Sequence, residues 1–416
     1  MQRLFAVALV AALLPVSAAR ADWWGDAKLV QRGITRAAKT QWITQDDAAA
    51  YRAILSRSTG VWSKLPGSRG TNLAAVLHDV ARQWQSYIAP RAMALFGMLD
   101  TNTRYLGSDP MPRDGADILD ADGVVYRAFA GHGLQFHPLA NFARLNRLVA
   151  LNSSTDAAYL AAALIGRAVP RGGAYVWEYY FPFAGGYPPW TSGMVQAVAA
   201  RAFAADGDAF VARRAYLAIP SLVAPLPAGP WIRLYSFSNT AVLNAQLQSA
   251  VSLASYAQLN QDPSATTLAR RLLETADTLF PRFDTGAWSR YSLGGPEAPL
   301  NYQVFVVNLL KTIAGNTNDP VWIARAKRFD RYTKQPPAVY ASGTARPKNV
   351  RVSVWVSKLS HVNVTLAGAT QSVTLSRGSH SFSWGARRPG RYSVRISAVD
   401  QAGNKASKAF SLIVRK

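Results

Sequence analysis

The sequence predicts a mainly helical chain followed by a small all-β module, and three observations lead there. Apolar residues recur at helical spacing from about residue 25 to 333. At Gln335-Pro336-Pro337 that pattern stops, and beyond residue 348 the apolar period switches to two. The composition, 49% hydrophobic and 17% charged, excludes a disordered chain, and 416 residues suit two or more domains.

Residues 1–21 predict an export signal. Met-Gln-Arg is a positive start, Leu4 to Val16 is apolar, and Ala19-Arg20-Ala21 fits small-x-small cleavage. The apolar run is too short to span a bilayer, which needs about 20 residues. A mature chain from Asp22, secreted or held at the cell surface, with no transmembrane segment after cleavage, is the expectation.

Residues 22–336 form the predicted helical domain. Helical runs cover roughly 45–58, 71–88, 91–101, 137–151, 155–168, 191–205, 207–219, 240–259 and 302–314. Asp262-Pro263 and Asp319-Pro320 start two more, because Asp caps a helix N-terminus and Pro tolerates its first position. Leu268, Leu272, Leu273, Ala276, Leu279 and Phe280 make an apolar stripe on the first of these. Short connections predict antiparallel neighbours. Aromatic, turn-rich stretches at 175–190, 231–237 and 284–293 read as hairpins or loops at one end of the helical layer. The fold class that follows is an (α/α) toroid of antiparallel helix pairs with short β-hairpins, by analogy of architecture alone.

Residues 337–347 read as a linker, and 348–416 as six or seven short strands in an antiparallel sandwich. Val350, Val352, Trp355, Val362, Val364, Phe382, Trp384, Val394 and Ile396 are among the residues that mark those strands. The stretch from Gly390 to Asn404 resembles the last hairpin of bacterial Ig-like modules, where Asp400 and Gly403-Asn404 make the turn.

Charge divides along the same boundary. Residues 341–416 carry 13 bases against one acid, Asp400, while the whole chain has 46 bases and 23 acids. Half of the net +23 therefore lies in the last fifth of the chain. Such a module suits a polyanion, a cell-wall polymer included. Charge alone would also suit nucleic acid, but for an exported chain with a helical toroid the expectation is no nucleic-acid partner. With no cysteine there is no disulfide or thiol nucleophile, and the five scattered histidines leave no metal site. Only three glutamates are present, and Glu178, within Tyr175-Val-Trp-Glu-Tyr-Tyr-Phe181, is the one in a sugar-facing setting.

Tyrosines offer better chemistry. Tyr235 follows Trp231-Ile-Arg-Leu, Tyr291 ends Asp284-Thr-Gly-Ala-Trp-Ser-Arg-Tyr, and Tyr302 opens Tyr302-Gln-Val-Phe-Val-Val-Asn308. With Trp190-Thr-Ser192-Gly-Met194-Val-Gln196 and Leu243-Asn244, these segments resemble the C-terminal catalytic domain of the D-glucuronyl C5-epimerases of heparan sulfate and heparosan. The matching elements are W-x-S-x-M-x-Q, W-x3-Y…L-N, D-T-G-x4-Y and Y-x5-N, in order, and the resemblance covers about 130–333.

The resemblance implies inversion at C5 of a uronic acid within a polysaccharide, without a cofactor. A base removes the C5 proton, the carboxylate delocalises the charge, and an acid on the opposite face returns a proton. It assigns the catalytic roles to Tyr235, Tyr291 and Tyr302. Since a phenol ionises near pH 10, nearby cations must favour one phenolate. Candidate substrate-binding residues are Arg233, Arg290, Trp190, Gln196, Trp231, Asn244, Glu178 and Asn308. Arg233 shares a face with Tyr235 if the segment is extended. The chain departs from the family at Leu234, Gly294 and Gln303, where the family carries Glu, Arg and His. The alternatives are a lyase or glycoside hydrolase on uronate chains, or a non-catalytic carbohydrate-binding or cell-wall protein. The resemblance also implies a homodimer, for which the sequence carries no interface signature.

Overall fold

The computed structural model describes residues 22–346, 349–385 and 387–415; the predicted export signal lies outside the described residues. Four helices come first: α1 (Trp23–Lys39), α2 (Gln45–Trp62), α3 (Gly67–Ala81) and α4 (Ala89–Ser108). A three-stranded antiparallel sheet follows, β1 (Asp117–Leu119), β2 (Val125–Phe129) and β3 (Gly133–Phe136). Next come α5 (Pro138–Ala150), α6 (Ser154–Ile165), the hairpin β4 (Val169–Arg171)–β5 (Ala174–Val176), α7 (Gly193–Asp206) and α8 (Ala209–Tyr216). The hairpin β6 (Val223–Leu226)–β7 (Gly229–Ile232) precedes α9 (Leu243–Asn260), α10 (Pro263–Phe283), α11 (Leu300–Thr317) and α12 (Pro320–Tyr332). The chain is thus mainly α, with an antiparallel β portion at the C-terminal end. No helix among the described residues is long and apolar enough to cross a membrane.

Two compact units divide the chain: Met1–Ala241 with Gln248–Thr275, and Val242–Leu247 with Ala276–Lys416. In the first, α1 packs on α2 and α3, α4 on α2 and α3, and α5 and α8 on α7. The predicted caps form. Asp262 Oδ1 accepts from the Ser264 and Ala265 amides at 2.9 and 3.1 Å, and Asp319 Oδ1 from Val321 at 2.7 Å. Thr44 and Asp47 make a reciprocal capping box on α2. Along α10 the buried positions are 265, 269, 272, 275, 276, 279, 280 and 283, with Glu274 exposed, as the stripe requires.

The second unit holds α11, α12 and seven strands: β8 (Val339–Arg346), β9 (Asn349–Val356), β10 (Ser360–Leu366), β11 (Ala369–Leu375), β12 (Gly378–Trp384), β13 (Gly390–Asp400) and β14 (Lys405–Val414). They form two antiparallel sheets, ordered β11-β10-β13-β14 and β12-β9-β8. The inner faces share one core of Val350, Val352, Val354, Val356, Val362, Val364, Leu366, Val394 and Ile396.

Here the structure corrects one expectation. The predicted linker is mostly strand β8, whose residues alternate between half-buried and exposed and pair with β9 along their whole length. Its inward side chains are small, and a Cβ at Gly343 would sit 2.8 Å from Leu412, so the missing side chain permits the close approach. Trp355 does not share the core with Val354 and Val356. It stands on the opposite, outer face, as the period of two demands.

Candidate active site

Tyr291 and Tyr302 are brought together in the second unit. Their rings meet edge to face, with centroids 5.1 Å apart and planes at 87°. Tyr302 lies in the first turn of α11 and is 1% exposed, whereas Tyr291 is partly exposed. The segment bearing Tyr291 is a tight, internally bonded loop. Asp284 Oδ1 accepts from the Gly286 amide at 2.8 Å, the Asp-Thr-Gly turn, and Asp284 bridges to Ser289. The Tyr291 amide donates to the Pro296 carbonyl at 2.9 Å. The Leu243 amide, opening α9, donates to the Tyr291 carbonyl at 3.3 Å, which sets Asn244 beside this segment, buried in the first turn of the helix.

Two departures from the family pattern take structural parts in this loop. Gln303 is fully buried: its Oε1 accepts from the Ser289 amide at 3.0 Å and hydroxyl at 2.5 Å, while its Nε2 donates to the Phe329 carbonyl at 3.1 Å. One side chain thus ties the tyrosine loop and α12 to α11. The sequence shows Gln303 only as a replaced histidine, and nothing local marks it as a brace. Gly294 has φ +74°, in the left-handed region, at the tip of the turn after Tyr291. No atom lies within 4 Å of a Cβ built there, so the backbone conformation favours glycine and space does not.

Several candidate binding residues are structural here. Glu178 is fully buried, with Arg91 Nε and NH2 donating to it at 2.8 and 2.9 Å, Arg171 paired to it, and the Tyr180 hydroxyl donating at 3.2 Å. Its carboxylate is consumed by two guanidiniums and has no face for a sugar. Burial pushes the Tyr180 phenol well up, and the Glu178 charge adds to that. Trp190 is 2% exposed, with Tyr179 stacked on it at 4.0 Å and its indole N–H given to the Phe181 carbonyl at 2.9 Å. Trp231 is 1% exposed. Both tryptophans are core, not sugar platforms. Asn308 is exposed on α11, six residues from Tyr302 and so about 120° round the helix from it, and does not join its site. Arg290 donates from NH1 to the Gly295 carbonyl at 2.8 Å, bracing the turn that carries Tyr291. Asp284 is likewise occupied, by Arg328 at 2.7 Å and the Tyr332 hydroxyl at 2.8 Å.

In the first unit Tyr235 is 8% exposed and stacks on Phe237 at 5.5 Å, with Trp190 at 5.7 Å and Phe183 at 5.4 Å around it. Strand β7 ends at Ile232 and the chain bends at 234–237, so the extended geometry expected to align Arg233 with Tyr235 does not form. The Arg233 carbonyl instead accepts from the Gly193 amide at 2.9 Å, at the start of α7. Its guanidinium makes no hydrogen bond or ion pair among the described residues, and its Nε is buried. Gln196 on α7 is fully buried, with neither amide atom bonded. An unpaired guanidinium and an unsatisfied amide are groups with capacity for a polar ligand. Among the described residues no group of three His, Asp or Glu side chains is placed to hold a metal.

Residues 171–331 match the family model described as the D-glucuronyl C5-epimerase C-terminus. This segment, less than half of the chain, is related to that carbohydrate-epimerase family, and it contains Tyr235, Tyr291 and Tyr302. No sequence among the curated proteins matches the chain significantly. Among solved structures the chain is similar to a crystal structure of D-mannose isomerase, at 16% identity and a TM-score of 0.38 over 55% of this chain. The chain spans 65% of the length of that structure.

Proposed function

We propose that this protein is an exported enzyme inverting C5 of uronic-acid residues in an acidic polysaccharide, its helical part forming an (α/α) toroid. The observation that carries the reading is the Tyr291–Tyr302 pair, held in a braced loop inside the segment related to the glucuronyl C5-epimerases. In this reading a tyrosine phenolate takes the C5 proton. The electron pair left behind is delocalised into the adjacent carboxyl group, and a second phenol returns a proton from the other side of the ring. Tyr291, the more exposed of the pair, is the tyrosine that meets the sugar, and Tyr302 packs against its ring. Arg233, whose guanidinium is unpaired, suits a uronate carboxylate. The basic sandwich would hold the enzyme on polyanionic substrate or cell-wall polymer.

The test is incubation of the chain with uronate polysaccharides in deuterated water. Deuterium at C5 without chain cleavage is expected, and Tyr291→Phe should abolish it while leaving binding intact. Tyr235→Phe and Tyr302→Phe, assayed separately, then show whether either phenol takes part in the exchange. An unsaturated, ultraviolet-absorbing product would identify a lyase, and chain shortening without one a hydrolase. Absence of exchange with every uronan tried would end the epimerase reading.

A further inference from the structure

The outer face of the sheet β12-β9-β8 is unlike the rest of the sandwich surface. Strand register sets nine side chains there in three rows. Ser379, Trp355 and Tyr340 form the first, Ser381, Ser353 and Ser342 the second, and Ser383, Arg351 and Thr344 the third. Tyr340 is 65% exposed, and its ring lies 5.3 Å from that of the half-buried Trp355. Packing does not require this pair to be aromatic, because the core is filled from the opposite face by Val350, Val352, Val354 and Val356.

The hydroxyls in these rows make no side-chain hydrogen bonds among the described residues, and Arg351 has no ion-pair partner among them. The outer face of the other sheet differs. There Ser372 bonds His361 at 2.9 Å and Thr365 bonds Thr370 at 2.8 Å, so the polar groups satisfy one another. One face is closed on itself and the other is open to a ligand. The module offers no competing carboxylate, since Asp400, the single acid in residues 341–416, is buried against Lys358.

We infer that the β12-β9-β8 face is a glycan-binding site, with Tyr340 and Trp355 stacking on sugar rings, the serine row bonding hydroxyls and Arg351 taking a sugar carboxylate. Aromatic rings combine a flat apolar face with low conformational entropy, which suits the C–H face of a pyranose. Guanidinium matches carboxylate geometry with two parallel hydrogen bonds. Trp355 and Arg351 are four residues apart on one strand, about 13 Å, the length of a few sugar residues. The occupant is an acidic polysaccharide, on grounds of charge complementarity. That choice of polymer rests on the proposed function, whereas the site rests on the face itself.

The test measures binding of the full chain to an unsulfated glucuronate–N-acetylglucosamine polysaccharide and to its carboxyl-reduced form. Tyr340→Ala and Trp355→Ala should each weaken binding by about tenfold, with Tyr340→Phe retaining it. Arg351→Ala should weaken binding to the acidic polymer and leave the reduced one unaffected. Arg395→Ala, on the other sheet, is the control for diffuse charge. Equal losses for Arg351 and Arg395, unchanged binding in the Tyr340/Trp355 double variant, or equally tight binding of the reduced polymer would each overturn the inference. Thermal unfolding of every variant separates misfolding from lost contact. Binding is also read in Tyr291→Phe, so loss of this site and failure of the epimerase reading are seen separately.

Discussion

Lys358 and Asp400 form a buried ion pair at 2.6 Å, 3% and 0% exposed in their side chains, within the second unit. The remaining Lys358 protons go to the carbonyls of Tyr332 and Gln335 at 2.8 and 2.6 Å, and its ammonium lies 5.1 Å from the centre of the Trp288 ring. Trp288 belongs to the tyrosine loop and donates to the Ala298 carbonyl at 2.7 Å, which Gln401 also reaches at 3.1 Å. The Leu359 amide donates to Glu297 at 2.6 Å. The sandwich is therefore bonded to the loop that holds Tyr291 rather than tethered by a flexible linker.

Lys358→Met removes the cation and leaves a buried, unpaired carboxylate, which costs about 3–5 kcal/mol. The double variant Lys358→Met/Asp400→Asn should recover much of that loss, because neither charge is then stranded and an amide oxygen still accepts from the Ala402 and Asn404 amides, each bonded to Asp400 Oδ1 at 2.9 Å. Denaturant unfolding of the two variants checks it. A single variant as stable as the parent would show that the pair contributes nothing.

Gln303→Ala should destabilise by about 1–3 kcal/mol, since the Ser289 amide and the Phe329 carbonyl both lose a buried partner. The same variant loosens the loop bearing Tyr291, so C5 exchange should fall further than the unfolded fraction explains. Unfolding midpoints and exchange rates, measured on the same preparation, separate the two effects.

Stability should depend on pH through two buried groups with opposite signs. Burial holds the Asp79 carboxyl well above the usual range, against the hydrogen bond that Gln135 donates at 3.1 Å. Its contribution is fully present below the unfolded aspartate pKa and is lost as pH rises through the folded one. Burial, with Arg127 adding to it, holds His137 well below the usual imidazole range. Its contribution is present above the unfolded histidine pKa and is lost as pH falls through the folded one. Asp79→Asn, which stays neutral, should abolish the first dependence and leave the second, as read from unfolding free energies across pH. An unchanged profile in that variant would remove Asp79 from the account.

Helix starts were the most legible part of the fold, because Asp262-Pro263 and Asp319-Pro320 act within one turn of chain. Strands β2 and β3 escaped notice for the opposite reason. All nine of their residues are buried, so they show no alternation to read. Strand β8 passed for a linker because its inward positions are Val, Ala, Gly and Ala, small residues that pack only against partners distant in the chain. In the site, the three tyrosines stand on short motifs with fixed spacing and are readable in the chain. Glu178, Trp190 and Trp231 look sugar-facing in sequence because acids and aromatics serve cores and ligands alike.

The sequence by itself determined the helical pattern, the switch to a period of two, the charge division and the tyrosine motifs, all of which depend on residues close in the chain. Tertiary structure alone decided that Arg91 and Arg171 consume Glu178, that Gln303 braces Ser289 and that Lys358 finds Asp400. It also decided that Trp355 faces outward beside Tyr340. Each of these rests on which groups meet after burial, and a charge or a ring has no fixed meaning until its partner is in place.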